Sequence, residues 1–249
     1  KLINDKYPNK YKVENYGTTS VISAQELERL RTVSLKPGDI VIFYDGANDA
    51  LQSIYNNDPE GYILGKNYQI IQEAGPFEKF MIKFHTKWGK YSKFVYYFLD
   101  PYDYINKPAH LSDKKHVDDL SYQMKEVYVR NISEAKTLSE SQGALFFHFL
   151  QPTIYSGRVT TIYEGKLKSN SHLISAGIEE SLIAGYKQLV PSLYELRSNH
   201  QVNSYDLTRL FDSRDKREGL FLDWVHVADK GNYYIAKKIF DTLDGEQKL

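Results

Sequence analysis

The chain contains no cysteine. That absence removes disulfide frameworks, thiolate zinc sites and cysteine nucleophiles together. Nor is there a surplus of either charge, since 32 Lys and Arg stand against 32 Asp and Glu. A nucleic-acid partner, which usually demands a basic excess, is therefore not expected. No run of residues approaches the roughly 18–20 uninterrupted apolar positions of a membrane-spanning helix. Internal repeats and low-complexity linkers are lacking too, and no signal-peptide pattern follows Lys1. What remains is ordinary globular material. Hydrophobic residues make up 41% and charged residues 26% of 249 positions, enough for a sizeable core in one domain spanning 1–249.

Strand signals come first along the chain. Lys12 to Tyr16 reads as a short strand closed by Gly17. Asp39 to Tyr44 is a continuous apolar run between Pro37-Gly38 and Asp45-Gly46, the pattern of a strand buried on both faces. Ala144 to Leu150 is a second such run, and Gln201 to Leu207 a weaker one. Helical patterns lie between them. Ser23-Ala24-Gln25-Glu26 has the form of a capping box opening a helix that carries Leu27 and Leu30. Residues 117–142 form a long polar-rich helix stopped by Gly143. A stripe from Ile178 through Leu182, Tyr186 and Leu189 runs to Pro191 or a little past it, and a last helix begins near Asp229. Buried strands alternating with helices predict an α/β fold with a mostly parallel sheet covered on both sides.

Residues 51–116 fit the alternation poorly and read as an irregular insertion rich in aromatics from Tyr91 to Tyr104. That cluster suits stacking on a sugar, lining an acyl groove, or plain burial. Lys79, Lys83, Lys87, Lys90 and Lys93 recur near period 3.5 and describe a solvated helix face more simply than a membrane contact.

Three short segments fall where an open α/β sheet builds its site, at the carboxyl ends of strands. They are Asn15-Tyr16-Gly17-Thr18-Thr19-Ser20, Asp45-Gly46-Ala47-Asn48-Asp49, and Asp223-Trp224-Val225-His226 before the final helix. Taken singly, each also reads as a turn or a capping pair. Taken in order, they resemble the SGNH (GDSL-type) hydrolase superfamily across nearly the whole chain. Asn15-Tyr16-Gly17 is similar to the family's second block, Gly46-Ala47-Asn48-Asp49 to its third, and Asp223-Trp224-Val225-His226 to its fifth. Phe149-Leu150-Gln151-Pro152 and Tyr205-Asp206-Leu207 look like the endings of its last strands. One departure is Ser20, which stands where the family often has a second glycine.

The resemblance implies a three-layer α/β/α sandwich with a mostly parallel, flavodoxin-like sheet, and serine-dependent ester hydrolysis without a metal or cofactor. It implies His226 as general base, Asp223 as its orienting partner, Asn48 and Gly17 as oxyanion donors, and Gly46 and Asp49 in support. The chemistry is coherent. An imidazole titrates near neutrality. A carboxylate three residues earlier can hold the Nδ1 proton. A side-chain amide and an unshielded glycine N–H can stabilise a developing oxyanion.

The family's nucleophile, a serine after its first strand, has no counterpart in the sequence, so the expectation is that serine and strand lie upstream of Lys1. Ser20 belongs to the oxyanion loop rather than to that role. The implied substrate is an O-acylated carbohydrate or lipid. Transfer of the acyl group to a sugar hydroxyl, or glycan binding without catalysis, are the other readings of the same scaffold. Membrane attachment through an upstream segment and an extracytoplasmic location follow from the resemblance alone, and it says nothing of oligomeric state. His110 and His116 near Asp113, Asp118 and Asp119 offer metal-ligand residue types, yet a solvated polar segment is the simpler reading. His148 in its apolar strand reads as a satisfied core or near-site residue, and Asn131-Ile132-Ser133 lies within a predicted helix, unsuited to glycosylation.

Overall fold

The computed structural model describes residues 2–18, 20–61, 109–157, 161–168, 177–215, 217–246 and 248. The architecture is α/β. Three parallel strands, β1 (Ile40–Asp45), β2 (Leu145–Leu150) and β3 (Asn203–Asp206), lie side by side in chain order. Phe43 pairs with His148, and His148 with Ser204. Parallel neighbours require crossovers. The helices, in chain order, are α1 (Leu2–Lys6), α2 (Ser23–Arg31), α3 (Ala47–Tyr55), α4 (Lys114–Ser141), α5 (Ile162–Lys168), α6 (Ile178–Ser198) and α7 (Asp229–Gly245). Among the described residues none is long and apolar enough to cross a membrane.

Alternate side chains of β2 enter two cores. Phe146 and Leu150 join a cluster with Leu27, Ala50, Tyr128, Ile132 and Leu189, drawn from α2, α3, α4 and α6. Phe147 and Phe149 join another with Leu207, Phe211, Phe221 and Ile235. Both faces of β2 are dry, which is why its sequence is continuously apolar rather than alternating. Each fully buried Phe contributes roughly 1.5–3 kcal/mol. Ile42 on β1, by contrast, is 40% exposed, and β1 has a ladder partner on one edge only among the described residues.

Four local expectations are corrected. Lys12 to Tyr16 is not a strand: it is exposed, and its side chains bond one another, with Tyr16 Oη donating to Glu14 Oε2 at 2.7 Å. Exposed backbone can satisfy itself with water and needs no ladder. Ser23 is not the cap of α2. Ile22 holds that position, and Gln25 Oε1 accepts the Ile22 N–H at 3.1 Å, because the Ser23 hydroxyl is directed to Asp49 instead. Helix α6 runs seven residues beyond Pro191. An interior proline costs about 3 kcal/mol, but Leu193 and Leu196 beyond it are buried in the core and offset that. The irregular insertion is narrower than 51–116, since α3 continues to Tyr55 and α4 begins at Lys114. Its aromatic cluster and lysine periodicity lie outside the described residues.

Gly185 sets how closely α6 approaches α3. A Cβ at this position would lie 2.4 Å from Ala50 Cβ and 2.9 Å from Ala50 Cα. Alanine gains about 1 kcal/mol of helix propensity, but a backbone atom cannot step aside as a flexible side chain can. Gly185→Ala is expected to destabilise by about 2 kcal/mol net through overpacking. A urea midpoint at or above that of the wild type would refute this.

Candidate functional site

Of the sequence-predicted residues, Gly46, Asn48 and Asp49 follow the carboxyl end of a strand, whereas Gly17, Asp223 and His226 lie in loops. β1 ends at Asp45, and Gly46 follows with φ of +106°, a conformation open to glycine but strained for other residues. That turn starts α3 immediately, so Asn48 and Asp49 sit in its first turn. Asn48 Nδ2 donates to Val21 O at 2.9 Å, and Gln52 Nε2 donates to Ser20 O at 2.9 Å. Arg29 Nη1 donates to Tyr16 O at 2.6 Å and Thr18 Oγ1 at 2.5 Å. The segment containing Gly17 is thereby strapped to α2 and α3. A primary amide carries two N–H groups, and Val21 engages one of them in Asn48.

Gly17 differs from its expected role. Its N–H donates to Asn15 Oδ1 at 2.9 Å, closing a local turn. Ser20 takes φ of +59°, the left-handed region that glycine favours, which is the position of the noted departure.

Asp223 and His226 form a hydrogen-bonded pair, Nδ1 to Oδ2 at 2.7 Å, and the imidazole is 68% exposed. Asp223 Oδ1 also accepts the backbone N–H of Val225 at 2.9 Å and of His226 at 2.7 Å, fixing the loop between them. With Nδ1 donating to the carboxylate, Nε2 is the free lone pair of the neutral ring. The loop is tied to the sheet's carboxyl edge, since Ile154 N–H donates to Trp224 O at 3.0 Å just after β2. The Asn48 and Gly17 segments are thus joined to one another, and Asp223 to His226. No hydrogen bond links the two pairs among the described residues.

A buried polar network underlies this edge. Asp45 Oδ1 accepts from the Tyr128 hydroxyl and lies 3.1 Å from His148 Nε2. Tyr128 Oη lies 2.6 Å from His148 Nε2, and His148 Nδ1 lies 2.6 Å from Ser204 Oγ. All four residues are buried. Asp49 accepts the Ser23 N–H at 3.0 Å and the Ser23 hydroxyl at 2.5 Å, while Asn131 Nδ2 donates to Ser23 Oγ at 3.1 Å. Among the described residues Glu26 Oε2 and Asp45 Oδ2 have no hydrogen-bond partner. Burial, then the charge of Asp45, pushes Glu26 well above the usual carboxylate range. Burial pushes Asp45 up as well, but His148, Glu26 and Tyr128 more than offset it and leave it lowered. Burial and the charge of Asp45 push Asp49 up to about 7 against the donors from Ser23.

No protein-family profile, curated protein or solved structure matches this chain. The site stands on its geometry alone.

His110 and His116 have structural partners: His110 Nε2 lies 2.8 Å from Ile54 O, and His116 Nε2 lies 2.5 Å from Asn57 Oδ1. Asp113 caps α4 by accepting the His116 N–H at 3.1 Å. Among the described residues no group of His, Asp and Glu could hold a metal. Asn131 is buried in α4, its amide engaged by Ser23.

The raised Asp49 makes stability depend on pH. A folded-state value near 7 against an ordinary 3.8 means the folded chain holds a proton that the unfolded chain releases in that window. Stability therefore falls as pH rises from about 4 to about 7, by up to roughly 1.4 kcal/mol per pH unit, and is level above. Glu26 acts in the same direction. Asp45, being lowered, acts below about 4. Asp49→Asn is expected to flatten the slope between pH 5 and pH 7 in urea titrations; an unchanged slope would assign it elsewhere.

Proposed function

We propose that the chain forms the base-and-oxyanion half of a serine-dependent ester hydrolase of the SGNH type. It acts on an O-acyl group of a carbohydrate or lipid. The three-layer sandwich with a flavodoxin-like sheet is part of the same reading. One observation carries it: an exposed imidazole whose Nδ1 is held by Asp223, leaving Nε2 free at the carboxyl edge of a parallel sheet. In this reading a serine, supplied by sequence upstream of Lys1 on a strand beside β1, loses its proton to His226 Nε2 as it attacks the ester carbonyl. Among the described residues the second edge of β1 has no ladder partner and Ile42 is exposed, which is consistent with such a neighbour. Asp223 stabilises the imidazolium that forms, and the second Asn48 N–H donates to the oxyanion. His226 then returns the proton to the leaving alkoxide. Water, or a sugar hydroxyl in acyl transfer, discharges the acyl-enzyme with the same base.

Because the Gly17 amide is turned to Asn15, Asn48 is the principal donor. Asn48→Ala in the natural polypeptide is expected to lower kcat for p-nitrophenyl acetate about 10²-fold with KM little changed. A rise in KM alone would reduce Asn48 to substrate binding. The engaged Gly17 amide is also what favours the second reading, a glycan-binding module without turnover, and absence of any esterase activity in the natural polypeptide would select it.

A further inference from the structure

Glu164 is a fully buried carboxylate on α5, a helix that carries none of the proposed catalytic residues. Its two oxygens serve different elements. Oε2 accepts the Thr161 N–H at 2.8 Å while Thr161 Oγ1 accepts the Glu164 N–H at 3.1 Å, a reciprocal cap at the start of α5. Oε1 reaches across the fold and accepts the N–H groups of Leu220 at 2.8 Å and Phe221 at 3.1 Å. Those two residues are the foot of the loop that bears Asp223 and His226. Ala228 N–H donates to Leu220 O at 2.8 Å, Leu222 N–H donates to His226 O at 2.7 Å, and Phe221 bridges Val227 antiparallel. The ladder uses the Leu220 carbonyl, and Glu164 takes the N–H of the same residue. Leu220 and Phe221 are buried, so without Glu164 their N–H groups would lose these partners away from water.

We infer that Glu164 is a positioning residue for the Asp223–His226 pair: one buried carboxylate locks the foot of the loop and thereby the direction of the imidazole. The catalytic consequence rests on the hydrolase reading above; the structural consequence does not. A charge-assisted acceptor shared by two adjacent N–H groups is stronger than a neutral one and defines the backbone geometrically. A carboxylate that merely capped α5 would have no need of the second contact.

The test compares Glu164→Ala, Glu164→Gln and Thr161→Ala by 1H–15N spectra of the His226 imidazole and amide exchange at Leu220 and Phe221. Thr161→Ala breaks the reciprocal cap but leaves Oε1 on the loop. Glu164→Gln keeps an oxygen for Leu220 and Phe221 but places an amide against the Thr161 N–H. In the wild type, Thr161→Ala and Glu164→Gln, the ring is expected to keep one tautomer, protonated at Nδ1. In Glu164→Ala the tautomers should average, and exchange at Leu220 and Phe221 should quicken at least tenfold. Turnover by the natural polypeptide should fall about 10- to 100-fold in kcat with KM steady. A fixed tautomer in Glu164→Ala would overturn the inference. So would averaging in Thr161→Ala to the same degree. Should Glu164→Ala not fold, averaging in Glu164→Gln with intact amide protection at Leu220 and Phe221 would overturn it. These readouts need no esterase activity, so failure of the hydrolase reading would show separately, as wild-type protein without turnover and with a fixed ring.

Discussion

Replacing His226 by alanine is expected to lower kcat for p-nitrophenyl acetate about 10⁴-fold or more, with KM within about twofold of the wild type. The size follows from what is removed. A serine hydroxyl is a weak nucleophile unless its proton has somewhere to go, and the 223–226 loop supplies one imidazole with a free Nε2. At 68% exposure the ring is part of no core cluster, so its loss leaves no cavity. Activity and stability should therefore separate, with turnover collapsing while the urea midpoint hardly moves. Equal turnover in both proteins would take His226 out of the mechanism. A matching drop in stability would mean that the ring holds the loop together instead.

Asp45→Ala should produce the largest loss of stability, about 3–5 kcal/mol. Tyr128 directs its hydroxyl and His148 a ring nitrogen at this one carboxylate, and each loses that partner inside a dry core. For a domain whose net stability is on the order of 5–15 kcal/mol, that is a large fraction. The cost is that of partners orphaned in the core. Replacing the network as a set, Asp45→Leu with Tyr128→Phe, His148→Phe and Ser204→Ala, leaves none of these four groups orphaned and should therefore recover much of what Asp45→Ala loses. Additive losses in that cycle, or a single-variant loss below about 1 kcal/mol, would show that the contacts around Asp45 are individually weak.

Asp39 to Tyr44 and Ala144 to Leu150 fall within a residue of β1 and β2; burial on both faces writes the apolar run of β2, whereas β1 carries the same pattern with Ile42 exposed, so two-face burial was misread there. Misreadings arose where local chemistry had a competing partner far along the chain. Ser23 has every local qualification for a helix cap, yet Asp49, 26 positions on, takes its hydroxyl. The helix read as running to Pro191 or a little past it continues to Ser198, because distant packing buries Leu193 and Leu196. Lys12 to Tyr16, read as a short strand closed by Gly17, has nothing to pair with among the described residues. The site divides in the same way. Asp223 and His226 were readable as a pair because three residues of a turn suffice to join them. Gly17 was assigned an open N–H, but Asn15 two residues earlier accepts it. Glu164 left only the faint local mark of Thr161, three residues before it, as its cap.

By itself the sequence determined the alternation of apolar strands with helices, the order of the three polar segments, and the local pairing within 223–226. Those features depend on neighbours a few positions apart, whose geometry the covalent chain restricts. Only the tertiary structure decided that Asp45, Tyr128, His148 and Ser204 form one buried network, and that a carboxylate at 164 grips the backbone at 220 and 221. Side chains brought together from distant parts of the chain exchange water for one another only once the core has closed. No spacing along the chain records which of them will meet.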